Sequence, residues 1–483
     1  MLKQLWDKMW GKPRGIQETR RVIPIQVGLD FGTSCTKIAY SEIGGRLFRA
    51  VVFNHLLPHV PAFALPSVLA IDEKGELLVG IQAARFLRQQ SWLEGLQRLK
   101  MVVAGKYDLA YREANEANTE AIHLDYLKRH GKDPDFYSPE RLTAIFLAYA
   151  MRQARKAIEQ APEYKGRQLD LTFNICMPID HLQNNQVKSV FEQIFAWAWA
   201  IEKNSPRNIG TAEVLEISET TRSLAIYQPD NPENRVFAVP EAVAETASYL
   251  ISLEKIPGLH AVIDFGAGTT DVSIFNLRGH FGLRDEELQQ FWYAARNIPW
   301  GMVHIERLVA AHLGSICGEE GICSSQEVAD CLARCQNNSE SNLTSAAALR
   351  GEINQKLAEF HESAGYRSTW AKAYGRLSRQ TAWERVQVFI GGGGAQAPYV
   401  SQVFSEPWWP NLRTRYQVSL LPEPANYDAV GGKAPFQRMA VAYGLAIPLP
   451  QICEHVLPED CPNHTPAPLP IREIPHHEEL YDT

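Results

Sequence analysis

The sequence predicts an α/β chain made of two related halves that face each other across a cleft. Two stretches carry that expectation. The first is Val27-Gly28-Leu29-Asp30-Phe31-Gly32-Thr33-Ser34-Cys35-Thr36-Lys37-Ile38-Ala39-Tyr40. The second is Val262-Ile263-Asp264-Phe265-Gly266-Ala267-Gly268-Thr269-Thr270-Asp271-Val272-Ser273-Ile274-Phe275. Each is an apolar run ending in Asp-Phe-Gly, then a turn of small and hydroxylated residues, then alternating apolar and polar residues. That is the pattern of strand, tight turn and strand. The third observation is size: 483 residues, 45% hydrophobic and 21% charged, suffice for two cores.

The turns suggest chemistry. Consecutive N–H groups in such a turn form an anion-binding concavity, and hydroxyls add donors. The candidates are Gly32, Thr33 and Ser34 in the first turn, and Gly266, Ala267, Gly268, Thr269 and Thr270 in the second. Asp30 and Asp264 end the incoming strands beside them. A carboxylate next to bound phosphates calls for a hydrated Mg²⁺ between the two. Asp30 and Asp264 are therefore the candidate metal residues, acting through water. Two copies argue for one nucleotide held from both sides. Asp-Phe-Gly also occurs in protein kinases, but the His-Arg-Asp loop and the glycine-rich loop with its strand lysine are absent, as is the Walker sequence.

Along the chain, residues 1–21 precede the first strand. Leu2, Leu5, Trp6, Met9 and Trp10 share one helical face, and six basic residues against two acidic ones give a local charge of +4. Residues 1–10 suit weak contact with a membrane surface; the alternative is packing on their own core or on a partner protein. Residues 66–71 read as a strand and 77–80 as the start of a second segment. Pro139 to Gln160 has helical spacing, and Leu169 to Met177 is a buried strand ending at Pro178. Residues 203–237 read as an inserted hairpin or loop and a candidate partner surface. Residues 295–380 are mostly helical by pattern. Four glycines, Gly391 to Gly394, follow the apolar run 386–390 and let the backbone pass close to a ligand. Residues 451–483 are proline-rich, with seven acids against one Arg472, and read as a disordered or partner-ordered tail. His476 and His477 in it read as solvated. Cys317, Cys323, Cys331 and Cys335 cluster without a Cys-x-x-Cys and read as structural thiols rather than a metal site.

The net charge of −7 argues against broad nucleic-acid binding. No signal peptide and no apolar run of transmembrane length is present, and eight cysteines in so long a chain suit a reducing cytoplasm.

The two hairpins resemble the first and second phosphate motifs of the actin, DnaK-type chaperone and sugar kinase superfamily. Val239-Pro240-Glu241-Ala242-Val243-Ala244-Glu245-Thr246-Ala247 is similar to its first connecting motif. Val388 to Pro398 is similar to its adenosine motif, and Met439-Ala440-Val441-Ala442-Tyr443-Gly444-Leu445-Ala446 to its second connecting motif. The resemblance spans about 22–449 and is nearest to the DnaK-type ATPase domain, without a substrate-binding domain. It implies a duplicated actin-like, ribonuclease H-like fold, with one domain at 22–238 and another at 239–450. The second would hold a lid-like part at about 295–380 and a last helix returning to the first.

The resemblance also implies roles. Glu241 matches the glutamate that reaches the metal-bound or attacking water; the plain alternative is a helix N-terminal acid. Asp271 matches a second acid near the phosphates, or is a surface acid. Glu352 and Lys356 match a helix that contacts adenine and ribose, or pair with each other at i,i+4. Gly391, Gly392 and Gly393 match the base and ribose contact. The family lysine that approaches the transferred phosphate has no counterpart near residue 85; Arg85 is the nearest cation, or a solvated one. Slow turnover follows from that departure.

ATP or ADP with Mg²⁺ are thus the expected ligands. The leading function is an ATPase whose closure switches binding to an unidentified protein partner. The runner-up is a self-assembling actin-like filament, membrane-attached or not, and a small-molecule kinase ranks third.

Overall fold

The computed structural model describes residues 22–461, apart from 54, 58–59, 88–94, 116–118, 207–210, 229–230, 232, 279–288, 318–343, 378–379, 397, 410–414 and 449–453. The expectations for residues 1–21, for Cys323, Cys331 and Cys335, for the Cys317 side chain and for His476 and His477 fall outside the described residues.

The alternating stretches form strands, in chain order β1 (Ile23–Asp30), β2 (Cys35–Glu42), β3 (Phe48–Ala50), β4 (Ala64–Pro66), β5 (Val68–Ile71), β6 (Leu77–Val79), β7 (Leu96–Gln97) and β8 (Leu169–Met177). They continue as β9 (Val236–Pro240), β10 (Gly258–Phe265), β11 (Thr270–Arg278), β12 (Gln289–Ile298), β13 (Gln387–Gly391), β14 (Gln417–Ser419), β15 (Tyr427–Asp428) and β16 (Glu454–Val456). Most belong to two mixed sheets. The first runs β15-β3-β2-β1-β8-β9 and the second β14-β13-β10-β11-β12-β16.

These two orders are the same path. In the first, β1 is antiparallel to β2 and β2 to β3, while β1 is parallel to β8 and β8 to β9. In the second, β10 is antiparallel to β11 and β11 to β12, while β10 is parallel to β13 and β13 to β14. Each antiparallel edge even gains one short parallel strand from late in the chain, β15 on β3 and β16 on β12. The hairpin β1–β2 and the hairpin β10–β11 are the two repeated stretches. The fold is therefore mixed α/β with two sheets of like order. A small third sheet, β6-β5-β7, adjoins the first.

Each sheet has its own apolar core. Ile25, Val27 and Leu29 of β1 pack with the Pro139–Gln160 and Asn185–Asn204 helices. Ile263, Phe265 and Val272 pack with the Met302–Cys317, Thr344–His361 and Ala364–Arg376 helices. A third cluster joins the halves: Phe48 and Phe63 from one side, Val262, Phe275 and Phe389 from the other, and Met439 and Tyr443 between them. The Glu241–Ile251 and Ala440–Leu445 helices cross at this joint. Their approach is set by glycines. A Cβ on Gly444 would overlap the Ala244 carbonyl, and one on Gly28 the Ala442 carbonyl. Ser41 and Asn174 side chains donate to the Ala446 and Leu445 carbonyls at 2.8 Å, finishing the helix end. Gly444→Val should therefore lower the melting temperature by about 3 °C, as overpacking of about 3 kcal/mol implies for a chain of this length. Differential scanning calorimetry checks this.

Two expectations need correction. Residues 203–237 hold a helix, Thr211–Arg222, where an inserted hairpin or loop is expected; Ser218 and Arg141 bury their polar groups on each other and on the helix carbonyls. The tail begins ordered: β16 pairs with β12, and Arg376 donates to the Cys461 carbonyl at 2.7 Å. Residues 462–483 lie outside the described residues. Among the described residues no helix is long and apolar enough to cross a membrane.

Candidate functional site

Strand polarity brings the site together. Asp30 closes β1, Cys176 stands one residue from the end of β8, and Glu241 follows β9 directly. In the other half Asp264 stands one residue from the end of β10, and Gly391 closes β13 beside it. Ligands of open α/β sheets bind beyond such carboxyl ends.

The two turns meet there. Gly32 N–H donates to the Asp30 carbonyl at 3.0 Å and Gly266 N–H to the Thr269 carbonyl at 2.9 Å, so both are spent on the turns themselves. The Thr270 hydroxyl donates to the Trp300 carbonyl at 2.7 Å. The N–H groups of Thr33, Ser34, Ala267, Gly268 and Thr269 meet no acceptor among the described residues. Backbone donors left open in this way form a cradle for an anion. The tips touch: a Cβ on Gly268 would lie 2.6 Å from the Thr33 methyl and would overlap the Met101 sulfur. A phosphate chain between them requires the tips to part.

Behind the turns lies a cluster of charge. Lys37 pairs with Asp30 at 2.6 Å, across the register that sets those two residues opposite each other. Lys100 pairs with Glu241 at 2.7 Å, and both are over nine-tenths buried. Asp264 faces Asp271 across β10 and β11, and Asn297 donates to Asp271 at 2.8 Å. Glu245, one turn beyond Glu241, presses against Gly391, whose Cβ would overlap its carboxylate. A Cβ on Gly392, at φ +80°, would overlap the Asp264 carboxylate. The glycine run is thus required by the acids packed against it. The Cys176 thiol donates to Asp30 at 3.6 Å, and ligand atoms of Asp30, Cys176 and Glu241 lie within 4.8 Å of one another.

Five carboxylates share this space with two ammonium groups, and the titrations register it. Burial, then Glu241, pushes the Asp264 pKa up to about 7. Burial and Glu241 raise Asp271 well above the carboxylate range, and burial and Asp264 do the same to Glu245. Burial works to lower Lys37 and Lys100, but Asp30 and Glu241 prevail and hold both above the ordinary lysine value. Burial keeps the Cys176 thiol protonated. The excess of hard oxygen donors fits a hydrated Mg²⁺. Asp30 and Glu241 already hold ammonium groups, whereas Asp264 has no ion pair among the described residues.

Some expected site residues lie elsewhere. Arg85 is exposed on the short Ile81–Leu87 helix, and among the described residues no ion pair ties it to the carboxylates. The cations beside the acids are Lys37 of β2 and Lys100, the latter carried by the Leu99–Tyr107 helix. Glu352 and Lys356 are on the exposed face of the Thr344–His361 helix, where Lys356 pairs with Glu359 at 2.7 Å. The sequence does hold a signal for Lys100. It stands in the run Leu99 to Gly105, every residue of which is buried, and a charge inside such a run requires a partner. Arg98 before it takes a left-handed φ of 58°, which turns the chain into the helix.

No protein-family model matches the sequence, and no curated protein matches it.

Proposed function

We propose that this chain is an ATP-binding protein of the actin-like, DnaK-like kind, a Mg²⁺-dependent slow ATPase whose closure switches binding to a protein partner. One observation carries the reading: two sheets of identical order present two glycine turns, tip to tip, over one buried carboxylate–lysine cluster. The open N–H groups of Thr33, Ser34, Ala267, Gly268 and Thr269 would take the phosphates. Asp264, with Asp30 and Asp271 behind it, would hold the hydrated Mg²⁺, which when bound neutralises phosphate charge. Glu241, anchored by Lys100, would orient the attacking water, and Lys100 would meet the charge that develops on the transferred phosphoryl group. Positioning and electrostatics of this kind need no covalent intermediate.

Because both halves contribute, parting and meeting of the turn tips would follow the nucleotide, and the joint at Phe48, Phe389 and Tyr443 would act as the hinge. Steady-state hydrolysis of ATP by the full chain tests the reading. Turnover should require Mg²⁺ and stop in EDTA. Arg85→Ala should stay within about twofold of wild type, since an exposed side chain without a partner in the site has no transition-state contact to lose. Absence of Mg²⁺-dependent turnover, or a large loss in Arg85→Ala, would count against it.

A further inference from the structure

A third cation stands at the cleft. Arg438 ends the short Phe436–Arg438 turn that leads into the Ala440–Leu445 helix, and its neighbours Phe436 and Met439 are buried in the joint. The guanidinium lies over the Phe63 ring, 5.2 Å from its centre, in the amino-terminal half. On the other side, its Nη2 is 3.6 Å from where a Cβ of Gly393 would stand. Its charge acts on the Cys35 thiol, the first residue after the first turn, and on the Lys37 ammonium. It therefore occupies the mouth between the first turn and the glycine run.

No hydrogen-bond acceptor or carboxylate among the described residues answers it. Among the described residues Arg438 makes no hydrogen bond or ion pair, and its Nε–H is buried without an acceptor. Buried polar groups are almost always paired, and a charged donor beside a second cation is the costlier exception. The Phe63 face beneath the guanidinium keeps its plane fixed, so the fork is pre-organised. A planar fork of N–H donors with a like charge nearby suits an anion with several oxygens, and phosphate is the group it matches bidentately.

We propose that Arg438 binds the phosphate chain of the nucleotide, as an anchor at the exit of the first turn. This rests on the nucleotide reading above. Arg438 lies outside all five sequence motifs that suggested that reading, and it touches both halves at once.

The test is equilibrium titration of the full chain with ATP and with adenosine, both in Mg²⁺, for wild type, Arg438→Gln and Arg438→Lys. The wild type should prefer ATP. In Arg438→Gln that preference should fall at least tenfold, and Arg438→Lys should recover only part of it, because an ammonium lacks the fork. The melting temperature of ligand-free Arg438→Gln should equal or exceed that of wild type, since an unpaired buried donor is removed. An unchanged preference for ATP in Arg438→Gln overturns the assignment and leaves the nucleotide reading standing. Equal weakening of ATP and adenosine also overturns it, because Arg438 would then act on the base or on the fold. A wild type that binds neither ligand overturns both.

Discussion

Lys100→Met should destabilise the chain and, if the chain is the proposed ATPase, abolish hydrolysis of ATP. Lys100 and Glu241 are a buried pair, 2.7 Å apart. Removing one partner leaves the other without compensation, which costs about 3–5 kcal/mol. Methionine fills nearly the same space, so little of the loss comes from a cavity. The double variant Lys100→Met/Glu241→Gln separates the two effects. It should recover most of the stability, because neither group is then a lone buried charge. It should not recover turnover, which should stay at least about 10²-fold below wild type, the usual cost of removing a transition-state charge contact. Urea denaturation and a phosphate-release assay read the two quantities. If the double variant hydrolyses ATP like the wild type, the pair is only structural.

Asp264→Asn should remove a pH dependence of stability and, on the proposed function, ATP hydrolysis as well. The folded-state pKa of Asp264 is raised from 3.8 to about 7, chiefly by burial and then by Glu241. Between those two values the folded protein keeps a proton that the unfolded chain has released. The contribution is therefore fully present below pH 3.8 and is lost as pH rises through about 7. Raised values at Glu245 and Asp271 act in the same direction. The metal-free protein should thus lose stability from pH 5 to pH 8, by about 2.5 kcal/mol at most from Asp264 alone. Mg²⁺ favours the ionised carboxylate, so its stabilising effect should grow over the same range. In Asp264→Asn the slope should shrink and Mg²⁺ should lose most of its effect, with hydrolysis down at least about 10²-fold. Thermal melts of both proteins at several pH values, with and without Mg²⁺, measure this. An unchanged slope would show that Asp264 ionises freely.

Much of the site was legible because it is local. A strand, a tight turn and a returning strand are neighbours in sequence, so Asp30, Asp264 and both turns could be read from two fourteen-residue stretches. Glu241 and the glycine run were likewise found on short motifs. What was not legible depends on distant packing. Lys100 reaches Glu241 across 141 residues of chain. The family spacing points instead to residue 85, where Arg85 is exposed. Glu245 was read as part of a motif, yet only the approach of β13 makes it a site carboxylate. Glu352 and Lys356 followed a plausible helix, but its buried face is Leu349, Ile353 and Leu357, which turns them to the outside. An inserted hairpin or loop is the expectation at 203–237, where the Thr211–Arg222 helix stands; Arg141, buried beneath it, bonds to Ser218 of that helix.

The repeated sheet order is the feature that no single stretch could establish. Six strands in each half follow the same path with the same directions. The two Asp-Phe-Gly turns are equivalent positions on those paths. That equivalence is why one ligand gripped from both sides is the natural expectation, and a nucleotide is the ligand proposed.

Calorimetric titration of ATP into the full chain, in Mg²⁺ and again in EDTA, tests that claim most directly. One site should bind with a dissociation constant in the micromolar range, between about 1 µM and 1 mM, and EDTA should weaken it at least tenfold. No binding at millimolar ATP, or an affinity indifferent to Mg²⁺, would contradict it.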